Sequence, residues 1–293
     1  MFRSLALLAI LTLAWGMNWS VMKIGVMELP PLWFRSIGLV LGTVLLGAML
    51  VARGVSLRLP KRSLGRIVAL SLPNIVVWYI VVTLAITMLP AGRAAILGFT
   101  MPAWAALIGI VVYREPPDAR IGIGVACAVA GVALLVIGDW SALIAHPLGV
   151  ALMLLAAFVW AWGTHVYKRT TLMMDTLALT FWMMAVACPF IVVASAIFEG
   201  SQWRIPIGVE WWPILYNAIL VLAIGNLIWF TVARTLPPTT AGLSSMLIPV
   251  VGVFSGMVML GETPPWRDFV ALALVCIAVI AALIPRPLPQ TAA

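Results

Sequence analysis

Charge is scarce in this 293-residue sequence: Asp, Glu, Lys and Arg make up 9% of it, against 64% hydrophobic residues. Soluble domains carry about 25% charged and about 45–50% apolar residues, so a soluble domain of any size is excluded. Cysteine is nearly missing. Cys127, Cys188 and Cys276 stand in apolar runs without CxxC spacing or an adjacent histidine, which excludes a disulfide framework or thiolate metal site and leaves inert packing. No clustered acids suit metal-dependent prenyl or phosphate chemistry, and no Ser-His or paired-Asp arrangement suits intramembrane proteolysis. Neither an enzyme nor a cofactor is expected. Lys and Arg outnumber Asp and Glu by 17 to 9, giving a net charge of +8. These basic residues flank the apolar runs, where the positive-inside rule accounts for them, so the expected partner is the lipid bilayer and not nucleic acid.

What is abundant is apolar runs about 20 residues long, the length that spans a bilayer. Ten can be drawn, at 4–23, 32–52, 66–88, 91–113, 119–138, 148–167, 176–198, 213–233, 239–260 and 267–285, with short connections. They predict an all-α integral membrane protein. The sequence is also duplicated. Ala14-Trp15-Gly16-Met17-Asn18 returns 147 positions later as Ala161-Trp162-Gly163-Thr164-His165, and the same shift brings Leu89-Pro90 to Leu236-Pro237, Pro102 to Pro249, Gly109 to Gly256, Glu115 to Glu262 and Arg120 to Arg267. Coincidences of tryptophan, proline and glutamate are not cheap in an apolar chain, so residues 1–147 and 148–293 are read as two repeats. The echo of the first apolar run inside the chain argues that it is retained and not cleaved as a leader.

With the N-terminus inside, most of the 17 Lys and Arg, including the cluster from Arg53 to Arg66, fall on the inner side. Both termini are therefore expected to be cytoplasmic. Trp33, Trp140, Trp203, Trp211, Trp212 and Trp266 fall at the opposite ends as an aromatic belt. Five spans per repeat is an odd number, so the second half starts on the other side and the halves have inverted topology. That architecture belongs to secondary transporters, with a site near the midplane between the halves and alternating access. A channel is disfavoured by the lack of a charged or carbonyl-lined filter.

Polar groups in hydrocarbon are tolerated where they face protein or a water-filled cavity, which makes the few present the candidate site. The substrate-cavity residues are Trp15, Asn18 and Trp19 on the first span; Asn74, Trp78 and Tyr79 on the third; Trp104 on the fourth; Trp162 and His165 on the sixth; Asn226 and Trp229 on the eighth; and Ser244 and Ser245 on the ninth. The fifth and tenth spans are almost wholly aliphatic and read as scaffold or a dimer surface. Pro102 and Pro249 kink the fourth and ninth spans, as hinges or as fixed packing bends. His165 is the one ionisable residue well within a span, while Lys23, Arg35, Arg93, Glu115, Arg234 and Glu262 are placed at span ends. With no buried carboxylate in view, downhill facilitated transport is expected ahead of proton-coupled export of metabolites or drugs. A cavity of indoles, a phenol and neutral amides suits small amphipathic or aromatic solutes, zwitterionic amino acids among them.

These motifs carry a family resemblance. The AWG-x-N element at Ala14 to Asn18, its partner AWGTH, the LP and A-x-x-x-P pattern opening the fourth and ninth spans, and Glu-x-Pro-Pro at 262–265 resemble the ten-helix EamA exporters of the drug/metabolite transporter superfamily. Within that group the chain is most similar to the YddG-type aromatic amino acid exporters. The resemblance implies a bacterial inner-membrane exporter of amino acids and related metabolites, with a central cavity between the halves and no catalytic residues. It supports Trp15, Asn18, Trp162 and His165 as cavity residues, although many members have a smaller polar residue in place of His165.

Overall fold

Proline sets the helix boundaries at one end of the bundle. In the computed structural model, which describes residues 2–59, 63–116, 119–138, 147–172, 174–229 and 238–283, α1 (Phe2–Glu28) gives way at Leu29-Pro30 and α2 (Pro31–Ala52) opens on Pro31. A proline in the first turn fits because its missing N–H would have had no helical partner. Likewise α3 (Leu64–Met88) stops before Leu89-Pro90 and α4 (Ala91–Val111) follows at once. The remaining helices are α5 (Ala119–Gly138), α6 (Pro147–Arg169), α7 (Thr176–Glu199), α8 (Gly208–Trp229, opening on a 3-10 turn), α9 (Pro238–Leu260) and α10 (Trp266–Leu283). Among the described residues there are ten helices and no strand. Seven of them, α1 to α4 and α6 to α8, are long and apolar enough to cross a bilayer, and shorter apolar runs, Ile121–Leu135 and Leu247–Leu260, lie in α5 and α9.

α1 extends beyond the expected end at residue 23, so Lys23 lies inside the helix, its Nζ donating to the carbonyls of Ile86 (2.8 Å) and Thr87 (3.1 Å) at the C-terminus of α3. A cation at the negative end of a helix is favourable. Other contacts draw the same end together: Glu199 at the end of α7 meets the start of α2, Glu262 after α9 meets the start of α4, and Arg93 of α4 pairs with Asp268 of α10 at 2.9 Å. Trp33 and Trp203 of the expected aromatic belt stack here at 4.3 Å; Trp140 lies outside the described residues. Exposed Arg204 donates to Glu210 and to the Glu28 carbonyl, and the carboxylate raises the guanidinium pKa above its ordinary value. This is called the Glu28 end below. At the other, the Arg169 end, Arg169 pairs with Glu115 at 3.2 Å.

Helix contacts come in matched sets. α1 packs on α9 as α6 packs on α4, α2 on α8 as α7 on α3, and α1 on α8 as α6 on α3, while α2 packs on α7, α4 on α9 and α5 on α10. Shifting every helix number by five maps these contacts onto themselves, whereas the contacts of α1 with α3 and α4, of α2 with α3 and of α4 with α10 have no counterpart of similar extent among the described residues. Local detail repeats as well. Glu115 N donates to Gly109 O (3.0 Å) and Glu262 N to Gly256 O (3.1 Å), each carboxylate folding back over a glycine whose Cβ it would strike. π-helical stretches interrupt α3 at Leu72–Val77 and α8 at Tyr216–Ile224, overlapping after the 147-residue shift.

Close approach of α1 and α9 depends on Gly16, since a Cβ there would collide with the Cβ of Val251 and sit 3.0 Å from the Ile248 carbonyl. Neither atom can swing aside. Gly16→Ala is therefore expected to destabilise by about 1–3 kcal/mol through overpacking. Gly122→Ala on α5, where a Cβ meets nothing within 4 Å, should stabilise by about 0.5–1 kcal/mol through helix propensity. Unfolding of both variants in one detergent checks the opposite signs.

Candidate functional site

The polar centre that sequence reasoning missed is Arg35. It lies in the first turns of α2, within a drawn span but read there as an end; the structure buries it to 2% exposure. Its Nε donates to Thr83 Oγ1 of α3 (3.0 Å), Nη1 to Asn217 Oδ1 of α8 (3.2 Å) and Nη2 to Met22 Sδ of α1 (2.7 Å). The guanidinium carbon stands 4.7 Å from the centre of the Tyr79 ring, a cation-π geometry. Asn217 extends the network, its Nδ2 donating to Asn18 Oδ1 at 2.8 Å. Thus Asn18 and Tyr79, both expected in the cavity, are joined through Asn217, a polar residue of the eighth span, and Arg35, which was read as a span end. The available signal was an arginine inside an apolar run.

His165, the repeat counterpart of Asn18, belongs to a second network at the Arg169 end. Its Nε2 lies 2.7 Å from the Ala105 carbonyl of α4 and its Nδ1 lies 2.9 Å from Arg169 Nη1. A carbonyl accepts and a guanidinium donates, so the proton belongs on Nε2. The ring stacks on Tyr113 at 5.0 Å, and the Arg169 guanidinium covers the other aromatic at 3.4 Å.

The remaining expected residues distribute over the bundle. Trp15 is docked, with Nε1 donating to the Val221 carbonyl at 3.3 Å in the π-helical stretch of α8 and its ring 5.9 Å from Trp229. Trp19 is buried between Gly98 and Gly252 in the hydrophobic core. Asn74 donates to the Leu70 carbonyl (2.8 Å) and lies against Gly163; Asn226 donates to the Leu222 carbonyl (2.6 Å). Trp78 is tilted on Trp160 at 6.4 Å and Trp104 meets Phe158 edge-on at 5.5 Å. Trp162 is 37% exposed, in line with exposed Leu148, Leu155 and Phe158 on one face of α6. Pro102 stands at the restart of α4 after a break at Phe99–Thr100, and Pro249 lies inside α9. The side chains of Ser244 and Ser245 lie outside the described residues.

At the Glu28 end a cavity of about 670 Å³ opens among α1, α3, α4, α5, α6, α9 and α10, with Lys23, Thr87, Arg93, Glu262 and Asp268 in its wall. Both carboxylates there are engaged: Glu262 accepts from Ala91 N (2.5 Å) and Gly92 N (3.0 Å), and Asp268 accepts from Arg93. Among the described residues no group of three or more His, Cys, Asp or Glu is arranged to hold a metal.

The chain is 26% identical over 276 residues to the uncharacterized transporter YoaV of Bacillus subtilis, covering 90% of this chain and 91% of that one. It is 26% identical over 281 residues to a probable amino-acid metabolite efflux pump of Escherichia coli, covering 92% and 91%, and 28% identical over 275 residues to the uncharacterized inner membrane transporter YedA of the same species, covering 92% and 87%. A solved crystal structure shares the fold, with a TM-score of 0.62 at 18% identity over 94% of this chain and 96% of the other. Residues 3–137 and again 147–284 match the EamA-like transporter family, and the chain belongs to that family of multi-pass membrane transporters.

Proposed function

We propose that the protein is a secondary transporter that exports neutral amino acids, aromatic ones included, across the bacterial inner membrane by alternating access, as a facilitative uniporter. The observation that carries the mechanism is the pairing of the most extensive helix contacts under the five-helix shift. It supports two inverted repeats, residues 1–147 and 148–293, which present one site equivalently to two sides. The separate family matches to each half point the same way. Orientation with both termini cytoplasmic rests on the Lys and Arg bias, which makes the Glu28 end the outer one. The amino acid cargo draws support from the efflux pump relative of Escherichia coli and from the indoles, phenol and amides around α1, α3, α6 and α8. Downhill transport draws support from the carboxylates of the outer cavity, which are occupied by helix N-termini or by arginine.

Uptake of labelled phenylalanine and threonine into proteoliposomes, with and without a pH gradient, tests this reading. Saturable uptake indifferent to the gradient and showing counterflow is the expected result. Flux that appears only with a proton gradient would overturn the uniport mechanism, and absence of any amino acid flux would overturn the cargo.

A further inference from the structure

We propose that Arg35 is the carboxylate-binding group of the transport path, a site that receives the acid end of the substrate and makes the protein a carrier of carboxylates as a class. The inference deepens the amino acid reading and rests on its premise of a carrier. Burying a charge is costly unless an opposite charge or strong hydrogen bonds compensate it. The other buried charges have such compensation: Glu199 takes two backbone N–H groups at the start of α2, Glu210 pairs with Arg204, and Asp268 with Arg93. Arg35, at 2% exposure, has a hydroxyl, an amide oxygen, a thioether and an aromatic ring around it, and no carboxylate among the described residues.

The donor count points the same way. A guanidinium has five N–H groups, and here one goes to Thr83, one to Asn217 and one to the Met22 sulfur. Sulfur is a weak acceptor, and methionine is an unbranched, adaptable side chain. The Nη1–Nη2 edge is therefore held by one adequate bond and one weak, displaceable one. A carboxylate that displaces the sulfur gains the paired geometry a guanidinium favours. Tyr79 and Thr83 fix the plane of the group from α3 and Asn217 fixes it from α8. The site thus lies across helices of both halves, where an inverted-repeat carrier changes shape. Access is near: Lys23, next to Met22, and Thr87, one turn from Thr83, both line the cavity at the Glu28 end.

The test is binding of phenylalanine, phenylalaninamide and phenethylamine to the purified full-length protein in detergent, read by equilibrium binding and thermal stabilisation. The intact protein should favour the carboxylate over the amide by about tenfold or more, about 1.4 kcal/mol per tenfold. Arg35→Gln should reduce that ratio to near one, with Arg35→Lys in between. Met22→Glu keeps the arginine and places a carboxylate beside it, so it should fold at least as stably as the intact protein while losing carboxylate preference. It carries the test if Arg35→Gln fails to fold. A folded Arg35→Gln or Met22→Glu protein that retains the intact preference would overturn the inference, as would an unstable Met22→Glu. If phenylalanine does not bind, benzoate and succinate are the probes. Arginine-dependent binding of these would sustain the inference while removing the amino acid cargo, and no binding would overturn it.

Discussion

Glu199→Ala is expected to lower the stability of the protein by about 3 kcal/mol, and Glu262→Ala by about 1–2 kcal/mol, although the two carboxylates do the same work. Each caps a helix that begins after a proline with no capping side chain of its own: Glu199 accepts from Leu32 N (3.0 Å) and Trp33 N (2.8 Å), Glu262 from Ala91 N and Gly92 N. Hydrogen bonds to a charged group contribute about 1.5–3 kcal/mol each, and an orphaned buried N–H costs about as much. The positive end of the helix adds to both. What separates them is water. Glu199 is 8% exposed, whereas Glu262 is half-buried and lines the cavity at the Glu28 end, where water entering in place of the carboxyl can take over the two N–H groups. Glu199→Gln, which keeps one accepting oxygen but no charge, should fall between. Unfolding of the three variants in one detergent decides it, and equal losses for both alanine variants would show that burial is not the determinant.

The all-helical, membrane-spanning character of the chain was legible because apolar length survives in any conformation. Helix ends were legible at Leu89-Pro90, where the drawn spans stop at 88 and resume at 91, but not before Leu29-Pro30, where α1 continues to Glu28 past its drawn end at 23. Arg35 was not, because its neutral partners come from as far away as Asn217, 182 positions along the chain, and an arginine one turn inside a span looks like an interfacial anchor until α3 and α8 close over it. Nor were the π-helical stretches, whose wider turns leave the apolar pattern unchanged. The capping by Glu199 and Glu262 was not legible for the same reason: it is a contact with a helix start more than 160 residues away. Of the candidate site residues, Asn18 and Tyr79 share one network and His165 another, while Trp19 lies in the core.

The two repeat-related tryptophans are expected to fail in opposite ways. Trp15→Ala should cost about 3 kcal/mol of stability, within the range for removing a packed tryptophan. Trp162→Ala should change stability by no more than about 0.5 kcal/mol, as for an exposed position, and yet lower transport of aromatic cargo about tenfold, roughly the contribution of one aromatic contact. The difference is written in the sequence. Trp15 reaches the Val221 carbonyl because Gly225 has no side chain; a Cβ there would stand 2.5 Å from Trp15 Nε1. The residue equivalent to Gly225 on α3 is Trp78, so Trp162 finds no such slot and remains 37% exposed on the open face of α6. One indole has become part of the α1–α8 joint and the other stays on the exposed face of α6. Gly225→Ala should then reproduce the instability of Trp15→Ala, since the new methyl also stands 2.9 Å from the Leu220 carbonyl and cannot be relieved by moving the indole alone. Paired measurements of unfolding and of uptake kinetics on the three variants separate the roles. If Trp162→Ala left uptake untouched, the open face of α6 would be a lipid-facing surface, and Trp162 would not belong to the transport path.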